Sequence, residues 1–168
     1  MQNPPITSAF AEVRAHDQVM RYHRTGAGRP VVVLRAATDD SLWPELDACL
    51  AVAFRVITPE IPAGGADIAR WLGGFLEGVG LDRVTVVAAD AYCLSALELV
   101  LLGAEQVERL VLVPAGKARH TGLDGTLATS MRGVAVPMLV LRRGLPAIEA
   151  LPLLTHFIPN ANAPKPTG

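Results

Sequence analysis

The sequence has few of the features that mark specialised classes of protein. Only two cysteines, Cys49 and Cys93, occur in 168 residues, and they form neither a CxxC motif nor the Cys/His spacing of a zinc site. We therefore expect no metal, no cofactor and two buried, reduced thiols. The formal net charge is −1, and Lys and Arg are scattered along the chain, which argues against a nucleic-acid-binding protein.

Long apolar runs are also lacking. The richest apolar segment, residues 94–102, is interrupted by Glu98 and is shorter than the roughly 20 residues that span a bilayer. Residues 1–7 are polar and contain proline, with neither the basic nor the apolar region of a signal peptide. These absences predict a cytoplasmic protein that has no membrane partner.

What the sequence does contain is an apolar-rich chain in which strand and helix patterns alternate. Apolar residues make up 51% of it and charged residues 18%, as in compact globular domains. A hairpin of two antiparallel strands is predicted for residues 10–24. Strand patterns follow at residues 31–34, 54–57, 84–87, 110–113 and 138–141, and helix patterns at residues 39–53, 66–79, 91–103 and 147–157. This alternation predicts an α/β fold with a doubly wound, mainly parallel sheet.

The domain organisation predicted from this pattern is simple. Residues 1–158 form a single domain, which the chain length is sufficient to fold without disulfides or metals. Residues 159–168, with three prolines in ten positions, form a flexible tail.

Residues 81–93, LDRVTVVAADAYC, resemble the strand–turn–helix nucleophile elbow of the α/β-hydrolase superfamily, with Asp90 in the position of the nucleophile. Further segments resemble other strands of that fold in the same order: residues 22–34, 55–60, 107–113 and 136–141. The resemblance covers most of the chain. It implies a shortened α/β-hydrolase-like fold in which the lid is reduced to residues 116–133 and the last strand is missing, because the chain ends at Gly168.

The departures from the family pattern fall on the catalytic machinery. The two glycines of the G-x-S-x-G elbow are replaced by Ala88 and Tyr92, so we expect no tight turn at Asp90. The His-Gly pair that helps to shape the family's oxyanion hole is replaced by Arg35-Ala36. No carboxylate stands where the resemblance would place the catalytic acid, and the chain ends before the position of the catalytic His.

Asp90 is the candidate nucleophile, because epoxide hydrolases and haloalkane dehalogenases of this fold use an elbow Asp that forms an ester. His120, in the reduced lid, is then the candidate base. The competing interpretation is a structural carboxylate that pairs with Arg35, since both residues end neighbouring strands. Cys93 opens the helix after the elbow and is interpreted as a structural thiol. The candidate binding residues follow the strand ends and the elbow: Arg35, Ala36, Glu60, Ala91, Tyr92 and Arg142.

Three functions stay open. The favoured one is a pseudoenzyme of α/β-hydrolase fold that binds a small apolar ligand or a protein. The second is a diverged hydrolase, acting as an esterase, epoxide hydrolase or dehalogenase through Asp90. The third is a non-hydrolytic lyase or isomerase that uses Asp90 as an acid or base.

A homodimer is also predicted. The strand at residues 138–141 would be an open sheet edge, and open edges invite pairing with a second copy. Leu151, Leu154 and Phe157 of the last helix would add apolar contacts to such an interface.

Overall fold

The computed structural model describes residues 8–36, 43–63, 67–114, 129–142 and 145–158, with the backbone alone for residues 43–46. The predicted hairpin consists of β1 (Ser8–Ala15) and β2 (Gln18–Thr25), which pair antiparallel. His16 and Asp17 connect them with φ values of 48° and 61°. Two successive left-handed residues match the right-handed twist of a hairpin, which explains the short connection.

The remaining elements alternate between strand and helix, as the sequence predicts. They are β3 (Pro30–Leu34), α1 (Trp43–Ala51), β4 (Arg55–Pro59), α2 (Ile68–Val79), β5 (Val84–Ala89), α3 (Tyr92–Leu101), β6 (Val107–Val113), β7 (Met138–Val140) and α4 (Ala147–Phe157). The strands form one sheet in the order β1-β2-β4-β3-β5-β6-β7. Only β1 and β2 run antiparallel to their neighbours, and the pairs from β4 to β7 are parallel. The predicted fold class is therefore confirmed.

Helices cover both faces of the central strands. All six residues of β5 are buried, as expected of a parallel strand with helices on both sides. On one face, Leu72 and Phe75 of α2 and Leu97 of α3 pack against the strands. On the other face, the packing residues come from α1 and α4 and include Leu50. Because both faces are filled, a ligand can reach the centre of the sheet only at the strand ends.

The turn between β2 and β3 lies directly against the end of α1. Gly26 has φ +79°, and a Cβ on it would overlap the carbonyl oxygens of Ala51 and Phe54. Glycine is therefore required here both for the left-handed backbone and for the close approach. This contact fixes the end of α1 against the sheet.

The last helix is used within the chain rather than as a free surface. Leu154 is fully buried, and Leu151 and Phe157 pack against the core under α1. The prediction that Leu154 contributes to a dimer interface is therefore wrong, whereas Leu151 and Phe157 are half-buried. The apolar pattern of α4 reflects burial against the chain's own sheet.

Several predictions lie outside the described residues. They concern His120, most of the reduced lid and the tail at residues 159–168. None of the helices in the described ranges is long and apolar enough to cross a membrane.

Candidate functional site

A tight turn joins β5 to α3 at the predicted elbow. Asp90 lies between them with φ +50°, in the left-handed region. Its backbone N–H donates to the carbonyl oxygen of Val113 at 3.0 Å, and its own carbonyl accepts from the N–H of Cys93 at 3.2 Å. The prediction of a loose turn is therefore wrong. Aspartate tolerates left-handed backbone better than most residues, and Ala88 is fully buried at the position where the family has a glycine.

The thiol next to this turn is structural. Cys93 is buried, and its Sγ donates to the carbonyl oxygen of Ala88 at 3.3 Å. Burial raises the pKa of the Cys93 thiol to about 11. A thiol with this pKa is not a nucleophile at neutral pH, which agrees with the interpretation from the sequence. Cys49, by contrast, is only half-buried.

A row of side chains crosses the carboxyl end of the sheet on the face that carries α1. Phe10 of β1 lies opposite His23 of β2, which in turn lies opposite Thr58 of β4. Arg35 directly follows β3, and the alternation of side chains places it on the same face as Val31 and Val33, which pack beneath α1. Four neighbouring strands thus contribute to one line of side chains.

This row lines a cleft of about 510 Å³. The cleft is bounded by Phe10, His23, Arg35, Thr58, Pro59, Glu60, Ile61 and Tyr92. Three of the predicted binding residues, Arg35, Glu60 and Tyr92, therefore come together. Ala36, Ala91 and Arg142 are exposed near the same edge but are not among the described residues that line the cleft.

Arg35 forms an ion pair with Asp47 of α1, at 3.0 Å between Nη2 and Oδ2. The sequence analysis predicts Asp90 as the partner of Arg35, whereas the ion pair in the structure is with Asp47. The reason is that α1 folds back over the end of β3, which the order of strand ends alone does not reveal. Burial raises the pKa of Asp47, and the charge and hydrogen bond of Arg35 oppose this rise. Within the described residues, Arg35 Nε and Asp47 Oδ1 are both buried without a hydrogen-bond partner.

His23 is the residue of the cleft that the sequence analysis missed. Its Nε2 lies 2.6 Å from the hydroxyl oxygen of Ser8, and its Nδ1 lies 3.4 Å from that of Thr25. The imidazole also stacks in a tilted arrangement on Phe10, with 4.9 Å between ring centroids. The sequence analysis predicts this residue only as part of the hairpin at residues 10–24. The direction of β2 is the signal that could have identified His23. Because β2 runs antiparallel to β4, it brings His23 to the carboxyl end of β4.

His23 and Asp90 are not close enough to act on one atom. The order β2-β4-β3-β5 puts three strand spacings between their strands, or about 14 Å. The cleft and the elbow are therefore neighbouring features of the same sheet edge that share Tyr92. Within the described ranges, no group of three or more His, Cys, Asp or Glu side chains could hold a metal ion.

A larger groove lies elsewhere, beside α2. Its volume is about 960 Å³, and its walls include His16, Trp71, Glu77 and Leu102. It lies along the flank of α2 and the end of α3, away from the carboxyl ends of the central strands. In α/β sheets, ligands bind beyond those carboxyl ends, so the smaller cleft is the better candidate site.

No family model and no curated protein sequence matches this chain. Solved structures do. A serine hydrolase involved in carbazole degradation, CarC, superposes with a TM-score of 0.63 at 17% identity, over 90% of this chain and 87% of that one. A "predicted CIB-like hydrolase" from Thermoplasma acidophilum gives 0.62 at 10% identity, over 90% and 98%.

The carboxylesterase CesB from Bacillus subtilis gives a TM-score of 0.56 at 20% identity, over 66% of this chain and 45% of that one. The chain thus spans less than half the length of this relative. All three are hydrolases by name. Together with the strand order, these likenesses show that the chain has the α/β-hydrolase fold.

Proposed function

We propose that this chain binds a small, mainly apolar ligand in the cleft at the carboxyl ends of β3 and β4, without the standard serine-hydrolase chemistry at its elbow. The observation that carries the proposal is the cleft itself. It brings together Arg35, Glu60 and Tyr92, three of the candidate binding residues of the sequence analysis. Its volume of about 510 Å³ falls within the range of small-molecule sites.

The composition of the walls supports a ligand of this kind. Phe10, Pro59, Ile61 and Tyr92 supply apolar and aromatic surface. The remaining wall residues are polar or charged and can orient one or two polar groups of a ligand. Arg35 stands where the family has the His-Gly pair of the oxyanion hole, and its guanidinium is bound to Asp47. This arrangement favours binding over acyl transfer at the elbow.

Calorimetry with a panel of small esters, carboxylates and phenols tests the proposal. Ile61→Trp fills the cleft and should abolish binding of any ligand that the wild type takes up. Leu102→Trp is the matched control, because Leu102 is 61% exposed in the groove beside α2, and it should leave binding unchanged. Binding that survives Ile61→Trp and is lost in Leu102→Trp would move the site to the other groove.

Steady-state hydrolysis of p-nitrophenyl esters should stay at background. The elbow holds an aspartate, and the thiol beside it has a pKa raised to about 11, so no serine or cysteine nucleophile is available there. A rate well above background that disappears in Asp90→Asn would contradict the absence of elbow catalysis.

A second candidate function is an ester-forming hydrolase that uses Asp90. The observation in its favour is the left-handed φ of +50° at the turn, because the nucleophile elbow of this fold is a sharp, strained turn. A carboxylate oxygen would attack an epoxide carbon, the ring C–O bond would break, and the released alkoxide would take a proton from water. The base proposed for the hydrolysis of the ester, His120, lies outside the described residues.

Intact-mass spectrometry after incubation with epoxides and haloalkanes separates this candidate from pure binding. A covalent adduct on the wild type that is absent in Asp90→Asn would establish the nucleophile. If the protein stays unmodified across the panel and calorimetry shows reversible binding, binding is the only one of the two functions that remains supported.

The lateral edge of the sheet carries a separate proposal, which is self-association through β7. Val140 of β7 is 47% exposed, and no other described strand pairs with the outer side of β7. Edge pairing across a two-fold axis would cover Val140. Val140→Lys is a better disruptive variant than Leu139→Lys, because Leu139 packs against the core. Sedimentation should show a dimer that Val140→Lys dissociates, and a monomer at micromolar concentration would refute the proposal.

A further inference from the structure

We propose that Ser8 and His23 form a nucleophile–base pair, outside the elbow, that accepts an acyl or phosphonyl group from an activated donor. Ser8 Oγ lies 2.6 Å from His23 Nε2, well within hydrogen-bond distance. Such a contact between a hydroxyl and an imidazole is the first requirement for general-base activation of a serine. Ser8 is exposed, so a donor molecule can reach its oxygen.

A third residue is placed to orient the imidazole. Thr25 Oγ1 lies 3.4 Å from His23 Nδ1, on the side of the ring away from Ser8. With the imidazole proton on Nδ1 and donated to Thr25, Nε2 is free to accept the proton of Ser8. The cross-strand pairing of Ser8 with Thr25 in the hairpin register keeps the three side chains on one face. Nucleophile, base and orienting group thus occur in the order that serine catalysis requires.

The cleft next to this pair provides the remaining parts of a transfer site. Phe10 is 82% exposed beside His23 and offers an apolar surface for the acyl or leaving group. The Thr58 hydroxyl and the Arg35 guanidinium line the same cleft and can bind a polar group of the donor that lies away from the reacting atom. The donor is therefore an activated ester, or a phosphonyl fluoride, with an aromatic or aliphatic group of modest size.

The transfer step is balanced without a cofactor. Ser8 Oγ attacks the carbonyl carbon or the phosphorus while its proton moves to His23 Nε2. A C–O or P–O bond forms, the C–O or P–F bond to the leaving group breaks, and His23 releases the proton to the departing alkoxide or fluoride or to solvent. The product is an acyl or phosphonyl ester of Ser8.

The pair shares the cleft of the proposed binding function but does not rest on catalysis at the elbow. It lies about three strand spacings from the elbow turn and does not require Asp90. It predicts stoichiometric modification of Ser8 and does not require steady-state turnover. Its success or failure therefore leaves the binding proposal to its own test.

The experiment uses a fluorophosphonate probe on the full chain, followed by peptide mapping and mass spectrometry. We expect one phosphonyl group per chain, located on Ser8. His23→Gln should slow the reaction by about a hundredfold, the usual contribution of a general base. Ser130→Ala is the control, because Ser130 lies between β6 and β7, and it should react like the wild type.

Thr25 is proposed as a positioning residue, and two variants test it. Thr25→Val removes the oxygen next to His23 Nδ1 and should slow the reaction, whereas Thr25→Ser keeps it and should restore the rate. Mapping on the wild type does not depend on the folding of any variant. Ser8 unlabelled in the wild type, or labelled equally fast in His23→Gln, would overturn the proposal.

Discussion

The two ends of the parallel strands differ in how their ionic side chains are hydrogen-bonded. We call the side of the sheet where these strands begin the amino edge and the side where they end the carboxyl edge. At the amino edge, Glu108 accepts from Arg29 at 3.2 Å and from Arg83 at 2.8 Å, so both of its oxygens are bound. At the carboxyl edge, Arg35 and Asp47 share one bond, and Arg35 Nε and Asp47 Oδ1 stay buried without a partner in the described part of the chain. Buried polar atoms without partners are uncommon in folded proteins. Arg55 Nε at the start of β4 and Arg109 Nε of β6 are likewise buried without a partner, so within the described residues the two edges differ in how fully their carboxylates are hydrogen-bonded.

Both ends of β5 have a left-handed residue, yet the two are used differently. Arg83 directly precedes β5 and has φ +57°, and its side chain forms an ion pair with Glu108. Asp90 leaves the strand with φ +50°, at the elbow. The same backbone conformation thus serves an ionic contact at one edge and a sharp functional turn at the other.

The largest effect expected from this comparison concerns the two cysteines. Cys93 at the carboxyl edge has a pKa raised to about 11, so at pH 8 only about one thiol in a thousand is ionised, and it is buried as well. Cys49, toward the other end of the molecule on α1, is half-buried. We expect iodoacetamide to modify Cys49 first and Cys93 only on unfolding, as measured by peptide mapping over time. Rapid modification of Cys93 in native buffer would show that the carboxyl edge opens.

The next prediction compares how much each of the two ionic arrangements contributes to the free energy of unfolding. Glu108→Gln should cost about 1–3 kcal/mol, because the amide NH2 that replaces one carboxylate oxygen donates hydrogen bonds and cannot accept from the guanidinium it faces. Asp47→Asn should cost less than about 1 kcal/mol, since its amide oxygen can still accept from Arg35 and no carboxylate is left to bury. Urea unfolding of both variants measures the difference. Equal losses would mean that the two edges contribute alike.

A smaller effect tests the left-handed turn at the elbow. Asp90→Gly should be more stable than Asp90→Ala by about 1 kcal/mol, because both lose the carboxylate and only glycine adopts a positive φ without a penalty. The pair Arg83→Gly and Arg83→Ala should give the same sign at the amino edge. Thermal unfolding of the four proteins provides the measurement. An alanine variant that is more stable at position 90 would show that the elbow relaxes to ordinary backbone.

The smallest effect is a pH dependence at the carboxyl edge. The folded pKa of Asp47 is raised, so its contribution to stability is present below its usual range and is lost as the pH rises through the folded value. Asp47→Asn removes this contribution. Relative to the wild type, the variant should therefore lose stability as the pH falls from neutral toward 4. A difference that is constant with pH would mean that Asp47 has the same pKa in the folded and unfolded states.

Most of the fold is predictable from the sequence because the buried strands are continuous apolar runs. The observed α4 has the bounds expected from its helical spacing, and the central strands differ from prediction by a few residues. Arg35, Glu60 and Tyr92 were found for a similar reason, since residues that follow parallel strands meet at one edge.

The rest of the site depends on contacts between elements that are distant in sequence. Asp47 comes from a helix that folds back over β3, and His23 comes from an antiparallel strand, so neither follows a parallel strand end. The glycine rule does not predict the tight turn at the elbow, because this turn begins with aspartate. Aspartate itself permits the left-handed backbone, and Ala88 fits where the rule expected glycine.

The contact of Gly26 with the end of α1 has a consequence for how this protein can evolve. Asp47 lies four residues before Ala51, only about 6 Å along the helix axis. Any side chain at position 26 must displace that end of α1, and a rigid helix would carry the displacement to Asp47 and through it to Arg35. In a selection for altered ligand preference, position 26 should therefore emerge among the selected sites although it touches no ligand.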